Sequence, residues 1–234
     1  MGNYKAKYLL TNNNMKQFKT IAIILITVLF SNLLFGQDSQ RDFSEILQTY
    51  YLHKDKDIVE KTIEFVNNPK ADFKRIEPIL TGFFGALFSA DIVIRSEFLK
   101  NSDKFQNKDF KQLFTFLNET NIDSIYSKTP LTPAFNDMNW SSYFATGNVK
   151  FLDKIISNIS LAENRIDRNL FLTGASSKWS LCANARQDKQ VKEHLIIQKD
   201  NKKVIKEILK KEPQEFKQEM KDVIVEQRAK GLWN

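Results

Sequence analysis

The chain has 234 residues, of which 27% are charged, and it carries a formal net charge of +7. Four lysines supply the charge of residues 1–36, which contain no acid, so residues 37–234 keep only +3. That value is ordinary for a domain of this size and gives no sign of nucleic-acid binding. Cys182 is the only cysteine, which excludes an intramolecular disulfide. Only seven glycines are present, and so few argue for helices rather than a turn-rich β-sandwich.

Residues 15–36 have the layout of a secretory signal peptide. Met15 and two lysines precede an apolar run over residues 20–35, and Gly36 and Gln37 follow it. We therefore expect an over-extended start at residues 1–14, a signal peptide at 15–36, and one all-helical domain at 37–234. The mature protein would be exported, either periplasmic or secreted. The alternative is an inner-membrane anchor formed by residues 20–35, although this run is shorter than the ~20 residues of a spanning helix.

Apolar residues recur every three or four positions through most of the remaining chain, as in amphipathic helices. No period-2 alternation indicates a strand, so the predicted fold is all-α. Glu119–Pro133 is polar, contains two prolines and is predicted to be the longest loop. The third helix is capped by Asp72 or begins at Pro78, because proline is tolerated only in the first turn. The predicted helices are Asp42–His53, Asp55–Asn68, Asp72–Phe88, Asp91 (or Ser89)–Lys100, Lys108–Leu117, Asp137–Thr146, Asn148–Ile159, Arg165–Arg186, Asp188–Gln198, Lys202–Lys211 and Pro213–Lys230.

Two segments of the chain look alike and are led by Trp140 and Trp179, which lie 39 positions apart. Each has a Trp-Ser pair, a helix, a short turn and a second helix. Gly147 suits the left-handed end of a helix, and Asp188 suits the N-cap of the next one. We expect antiparallel helical hairpins stacked as a short solenoid-like array or an irregular bundle, followed by charged helices over residues 199–234. Chance similarity of two amphipathic hairpins is the alternative to a true repeat.

The stretch Trp140–Gly147, together with the Gly- and Phe-rich stretch Leu80–Phe88, resembles a group of secreted bacterial proteins. These are Bacteroidota-like, all-helical proteins of unknown function with a Trp-x-x-Phe-Phe-Ala-Thr-Gly-type hairpin. Tyr143 stands where that pattern has its first Phe. The resemblance spans about residues 73–198 and implies a helical fold. It implies no activity, and no functional residue follows from it.

Few residues offer catalytic chemistry. His53 and His194 are far apart and lie in no metal-binding motif, so we expect no metal and no cofactor. Cys182 and His194 fall on consecutive helices, yet a cysteine within an apolar helix is a poor nucleophile. Paired helix carboxylates such as Glu60 and Glu64 are expected to face water.

Other residues are candidates for binding or modification. Trp140, Tyr143 and Trp179 either line a ligand groove or pack in the core. Arg165 and Asp167 form either a buried pair or a concave polar site. Ser124 lies in an Asp-Ser-Ile sequence that resembles an O-glycosylation acceptor of Bacteroidota periplasmic proteins.

These observations favour an exported, non-catalytic binding or scaffold module of the cell envelope. Its expected partner is a protein or peptide, not nucleic acid, and it would meet a membrane only through an uncleaved N-terminal segment. An envelope hydrolase with a cryptic carboxylate site and a membrane-tethered helper protein are the alternatives.

Overall fold

The computed structural model describes residues 41–68, 70–198 and 202–233. Within these ranges the chain forms twelve α-helices and two short 3-10 helices, and no strand occurs there, which confirms the all-α prediction. The 3-10 helices are Ser102–Lys104 and Asn158–Glu163. The α-helices are α1 Phe43–His53, α2 Ile58–Asn67, α3 Phe73–Ala90, α4 Ile92–Lys100, α5 Lys108–Glu119, α6 Ile122–Lys128, α7 Pro133–Thr146, α8 Lys150–Ser157, α9 Arg168–Asn184, α10 Lys189–Ile197, α11 Lys202–Lys210 and α12 Pro213–Ala229.

The chain divides into two compact units, residues 1–44 and residues 45–234. Only residues 41–44 of the first unit are described, so the predicted start and the predicted signal segment lie outside the described residues. The second unit contains almost all of the helices. The site described below belongs to this unit.

Local sequence signals set most helix ends. Gly147 ends α7 in the left-handed conformation with φ 70°, and Asp188 accepts the N–H groups of Gln190 and Val191 at the start of α10. The predicted loop at Glu119–Pro133 was wrong, because α6 forms there. Asn121 caps α6 by accepting the N–H of Asp123 at 2.8 Å, and its residue Tyr126 is buried.

The third helix does not begin at Pro78. It starts at Phe73, so Pro78 lies inside α3. Proline supplies no N–H to its own turn. Packing offsets this local cost, because every residue from Leu80 to Phe88 is buried. Asp72 occupies the N-cap position as predicted, but its side chain accepts no hydrogen bond from α3.

The core of the second unit lies where α3 crosses α7. Gly82 allows the two backbones to meet, since a Cβ atom there would lie 2.2 Å from the carbonyl oxygen of Met138. The Ser142 hydroxyl stabilises this contact by donating a hydrogen bond to the Gly82 carbonyl at 2.7 Å. On the far side of α3, aromatic rings pack around Phe84 at centroid distances of 4.9–5.7 Å; they belong to Phe83, Phe88, Phe98 and Phe114.

A second close approach joins α9 to the 3-10 helix Asn158–Glu163. A Cβ atom on Gly174 would lie 1.9 Å from the backbone nitrogen of Ala162, so only glycine fits. Buried amides tie this region to α7. Asn136 donates to Ser177 Oγ at 2.9 Å, and Asn158 donates to Asn136 Oδ1 at 2.9 Å.

In the described part of the chain, no single helix is both long enough and apolar enough to cross a membrane. By length and composition alone, α3 and α4 pass that test only as a pair bent by 116°.

Candidate functional site

A pocket of about 90 Å³ opens between α9, α12 and the 3-10 helix Asn158–Glu163. We call it the α9–α12 pocket. Its floor is apolar, because Phe171, Ala175 and Phe216 are all buried. Charged side chains and further apolar ones complete the lining: Glu163, Arg165, Lys178, Glu219, Met220 and Val223. The pocket therefore combines an apolar floor with a few charged groups in a space large enough for a single side chain.

Two cations in the pocket share one carboxylate. Lys178 Nζ lies 3.1 Å from Glu163 Oε1, and Arg165 Nη2 lies 3.7 Å from Glu163 Oε2. The Lys178 side chain is only 15% exposed, whereas that of Glu163 is 72% exposed. A lysine whose side chain is mostly covered therefore pairs with a carboxylate that water can easily reach.

Arg165 is held in place by its own neighbourhood. Its Nη1 donates to the carbonyl of Ala162 at 2.7 Å, and its guanidinium lies 5.3 Å from the ring centre of Phe171. The 3.7 Å separation from Glu163 is too long for a hydrogen bond. Arg165 therefore presents a fixed cation to the pocket without a short contact to that carboxylate.

The structure gives Arg165 and Asp167 separate roles. Asp167 caps α9, and its Oδ1 accepts the N–H groups of Asn169 at 2.7 Å and Leu170 at 3.1 Å. That cap also explains why the helix starts at Arg168 rather than at Arg165. No ion pair joins Arg165 to Asp167 among the described residues, and only Arg165 lines the pocket.

Trp140, Tyr143 and Trp179 lie in the packed interior. Trp140 stacks on Phe144 at a centroid distance of 5.6 Å, and Lys217 Nζ lies 4.9 Å from the ring centre of Trp179. Neither indole N–H finds an acceptor among the described residues. None of the three rings lines the α9–α12 pocket, so the described structure favours their packing role.

Tyr143 belongs to a polar contact that the sequence did not reveal. The phenols of Tyr51 and Tyr143 both donate to Asp188 Oδ2, at 2.7 and 2.8 Å. Burial raises the pKa of Tyr51 to about 12 and also raises that of Tyr143, so both phenols stay protonated donors. Asp188 thereby links α1, α7 and α10, and its Oδ1 still caps α10. The arrangement is suited to holding helices together.

Cys182 and His194 do not form a nucleophile–base pair. His194 Nε2 lies 2.7 Å from Asp153 Oδ1, whereas the Cys182 thiol donates to the Lys211 carbonyl at 3.1 Å. Burial raises the pKa of Cys182, and the nearby Arg186 guanidinium, 2.9 Å from the sulfur, opposes that shift. Among the described residues no group of three or more His, Cys, Asp or Glu side chains could hold a metal ion.

Asp137 is a half-buried carboxyl that the sequence did not single out. Burial raises its pKa from the ordinary 3.8 to about 7, and no charged group in the described part of the chain counters this effect. It lies within α7, in the turn before Trp140. A carboxyl with such a pKa can both donate and accept a proton near neutral pH.

Ser124 is exposed on α6. The preceding residue, Asp123, pairs with Lys150 at 3.3 Å. The hydroxyl is therefore accessible, and its modification stays a prediction.

No protein-family model, curated protein or solved structure matches this chain.

Proposed function

We propose that this protein is an exported, non-catalytic helical module that binds a protein or peptide partner in the cell envelope. The single observation that carries the proposal is the α9–α12 pocket. Its mostly covered lysine side chain, exposed counter-ion and apolar floor form a place where a partner side chain could gain both burial and charge pairing. The N-terminal signal pattern supports the cellular location.

The scaffold of this module is a stack of antiparallel hairpins, α7–α8 beside α9–α10. Three long-range contacts support this arrangement. Asn136 contacts Ser177, Tyr143 contacts Asp188, and Asp153 contacts His194, at separations of 41, 45 and 41 positions. These separations are close to the spacing of Trp140 and Trp179, as expected if corresponding parts of the two hairpins stack on each other. Stacks of this kind offer extended surfaces to partners.

A pair of matched variants tests the binding function. Val223 lines the pocket, whereas Val225, on the same helix, is 57% exposed and does not line it. Val223→Glu places an acid at the apolar wall of the pocket, and Val225→Glu adds the same charge elsewhere. Quantitative capture from an envelope extract should give proteins that bind the wild type and Val225→Glu but are lost with Val223→Glu. If both variants retain the same proteins as the wild type, the pocket does not bind them.

A second candidate function is an envelope hydrolase, and Asp137 favours it. Its pKa of about 7 suits a general acid or base. Turnover of peptidoglycan or glycan substrates that disappears in Asp137→Asn would support this function. The absence of turnover in the wild-type protein would leave the binding function as the better account.

A further inference from the structure

We propose that the α9–α12 pocket recognises an apolar side chain next to a free carboxylate, as found at the C-terminus of a peptide. This inference rests on the proposed binding function and specifies its ligand class. It follows from the way the pocket combines its charges with its apolar floor.

Glu163 occupies the position that the ligand carboxylate would take. It lies at the end of a 3-10 helix, is 72% exposed, and pairs with both Lys178 and Arg165. Because Lys178 is mostly buried, its ammonium gains from any carboxylate that remains close to it. A ligand carboxylate anchored by apolar contacts would meet that need better than a side chain free to move into water.

Arg165 is prepared for the same carboxylate. Its Nη1 is fixed on the Ala162 carbonyl and its face packs on Phe171, so little entropy is lost when a ligand binds. Its Nη2 lies 3.7 Å from Glu163, beyond hydrogen-bond distance. A carboxylate placed between Lys178 and Arg165 could accept from both.

The size of the pocket points to a side chain. Its volume of about 90 Å³ is well below the ~300–1,000 Å³ of pockets that hold drug-sized molecules. Phe171, Ala175 and Phe216 form a buried floor, and Met220 can adapt its shape to the group that enters. One aliphatic side chain fits these limits.

The charge balance favours a singly charged group. Arg165 and Lys178 face Glu163 and Glu219 in the same lining. Glu219 also pairs with Lys211, so a second carboxylate lies beside the pocket. A dianionic phosphate would bring a second negative charge towards these acids, whereas a carboxylate would bring one.

The test uses dansyl-labelled glycyl-glycyl-leucine as the free acid and as its C-terminal amide, titrated into the purified protein. We expect the acid to bind roughly tenfold more tightly than the amide, because a charge-assisted hydrogen bond is lost with the amide. Lys178→Met should remove most of the preference for the acid over the amide, and the contact with Arg165 should keep the remainder. Glu163→Gln should raise the affinity for the acid several-fold, since it removes the competing carboxylate.

Lys189→Met is the control, because Lys189 is 87% exposed on α10 and pairs only with Glu193 in the described structure. It should leave both affinities unchanged. Far-UV circular dichroism checks the fold of each variant. Glu163→Gln changes an exposed side chain and should stay folded, so this variant still tests the proposal if Lys178→Met unfolds.

Equal affinities for acid and amide, no binding of either peptide, or weaker binding by Glu163→Gln would each overturn this ligand class. The proposed binding function is judged separately. If Val223→Glu loses captured partners while acid and amide bind equally, the pocket binds a partner of another chemistry. If Val223→Glu captures the same partners as the wild type, the binding function itself is wrong.

Discussion

Adding one methyl group to Gly82 tests whether α3 and α7 really meet backbone to backbone. In Gly82→Ala the new Cβ would lie 2.2 Å from Met138 O, where ordinary contact begins at 3.4 Å. The colliding atom belongs to the backbone and cannot turn aside, so the helices must separate by about 1 Å. The buried hydrogen bond from Ser142 to the Gly82 carbonyl would then lengthen or break.

The expected cost follows from these changes. Overpacking a core costs roughly 1–3 kcal/mol, and the rigid backbone contact places this case at the upper end. Loss of the hydrogen bond adds about 1 kcal/mol, and the better helix propensity of alanine offsets up to about 1 kcal/mol. We therefore expect Gly82→Ala to lower the free energy of unfolding by about 3 kcal/mol, a large part of the ~5–15 kcal/mol of a typical domain.

Gly85→Ala is the matched control on the same helix. Its new Cβ would lie 2.6 Å from Ile122 Cδ1, which is the end of a flexible side chain and can rotate away. We expect a change within about 1 kcal/mol. Urea unfolding followed by far-UV circular dichroism gives both values. Equal stabilities of the two variants, or a Gly82→Ala protein as stable as the wild type, would refute the close-contact reasoning.

Four further predictions follow from the described residues and the N-terminal pattern. The pKa of Asp137 is raised to about 7 in the folded state, whereas the unfolded state releases this proton near pH 4. The free energy of unfolding should therefore decrease as the pH rises from about 4 to about 7. Asp137→Asn should flatten that slope in urea unfolding at several pH values, and an unchanged slope would contradict the assignment. Cys182 should react with Ellman's reagent only after unfolding, and a fast reaction of the native protein would show that the turn at Lys211 does not cover it. If the predicted signal peptide is cleaved, the N-terminal sequence of the native protein should begin at Gln37, whereas an intact N-terminus would indicate a retained anchor. The mass of the mature protein should exceed that of its own sequence by a glycan that Ser124→Ala removes, and an unmodified mass would exclude the modification.

Local chemistry explains why the helices were predictable. The amphipathic spacing depends only on neighbouring residues, and so do the left-handed turn at Gly147 and the cap at Asp188. The prediction missed α6 because its seven residues are too few for a clear periodic pattern within a polar stretch. The sequence also allowed a helix start at Pro78. The earlier start at Phe73 depends on burial of the turns that follow Pro78, and that burial exists only in the folded chain.

The site was only partly predictable, because it is assembled from distant parts of the chain. Arg165 was noticed through its charged neighbours, but nothing local indicates that Phe216 would form its floor. Lys178 pairs with Glu163 fifteen positions earlier, across the turn before α9. The two phenols on Asp188 come from 137 and 45 positions away. Such contacts depend on tertiary packing, which periodicity does not specify.

The buried amide of Asn136 also limits the structures that this sequence can adopt. Its oxygen accepts from Asn158 and its nitrogen donates towards Ser177 and the Thr173 carbonyl, all at 2.8–2.9 Å. Purely apolar helix faces could slide past one another at little cost, because one aliphatic contact resembles the next. A slip of α9 by one turn would leave these polar groups in the interior without partners, at about 1–3 kcal/mol each. Asn136 therefore widens the energy gap between the native alignment and its misaligned competitors.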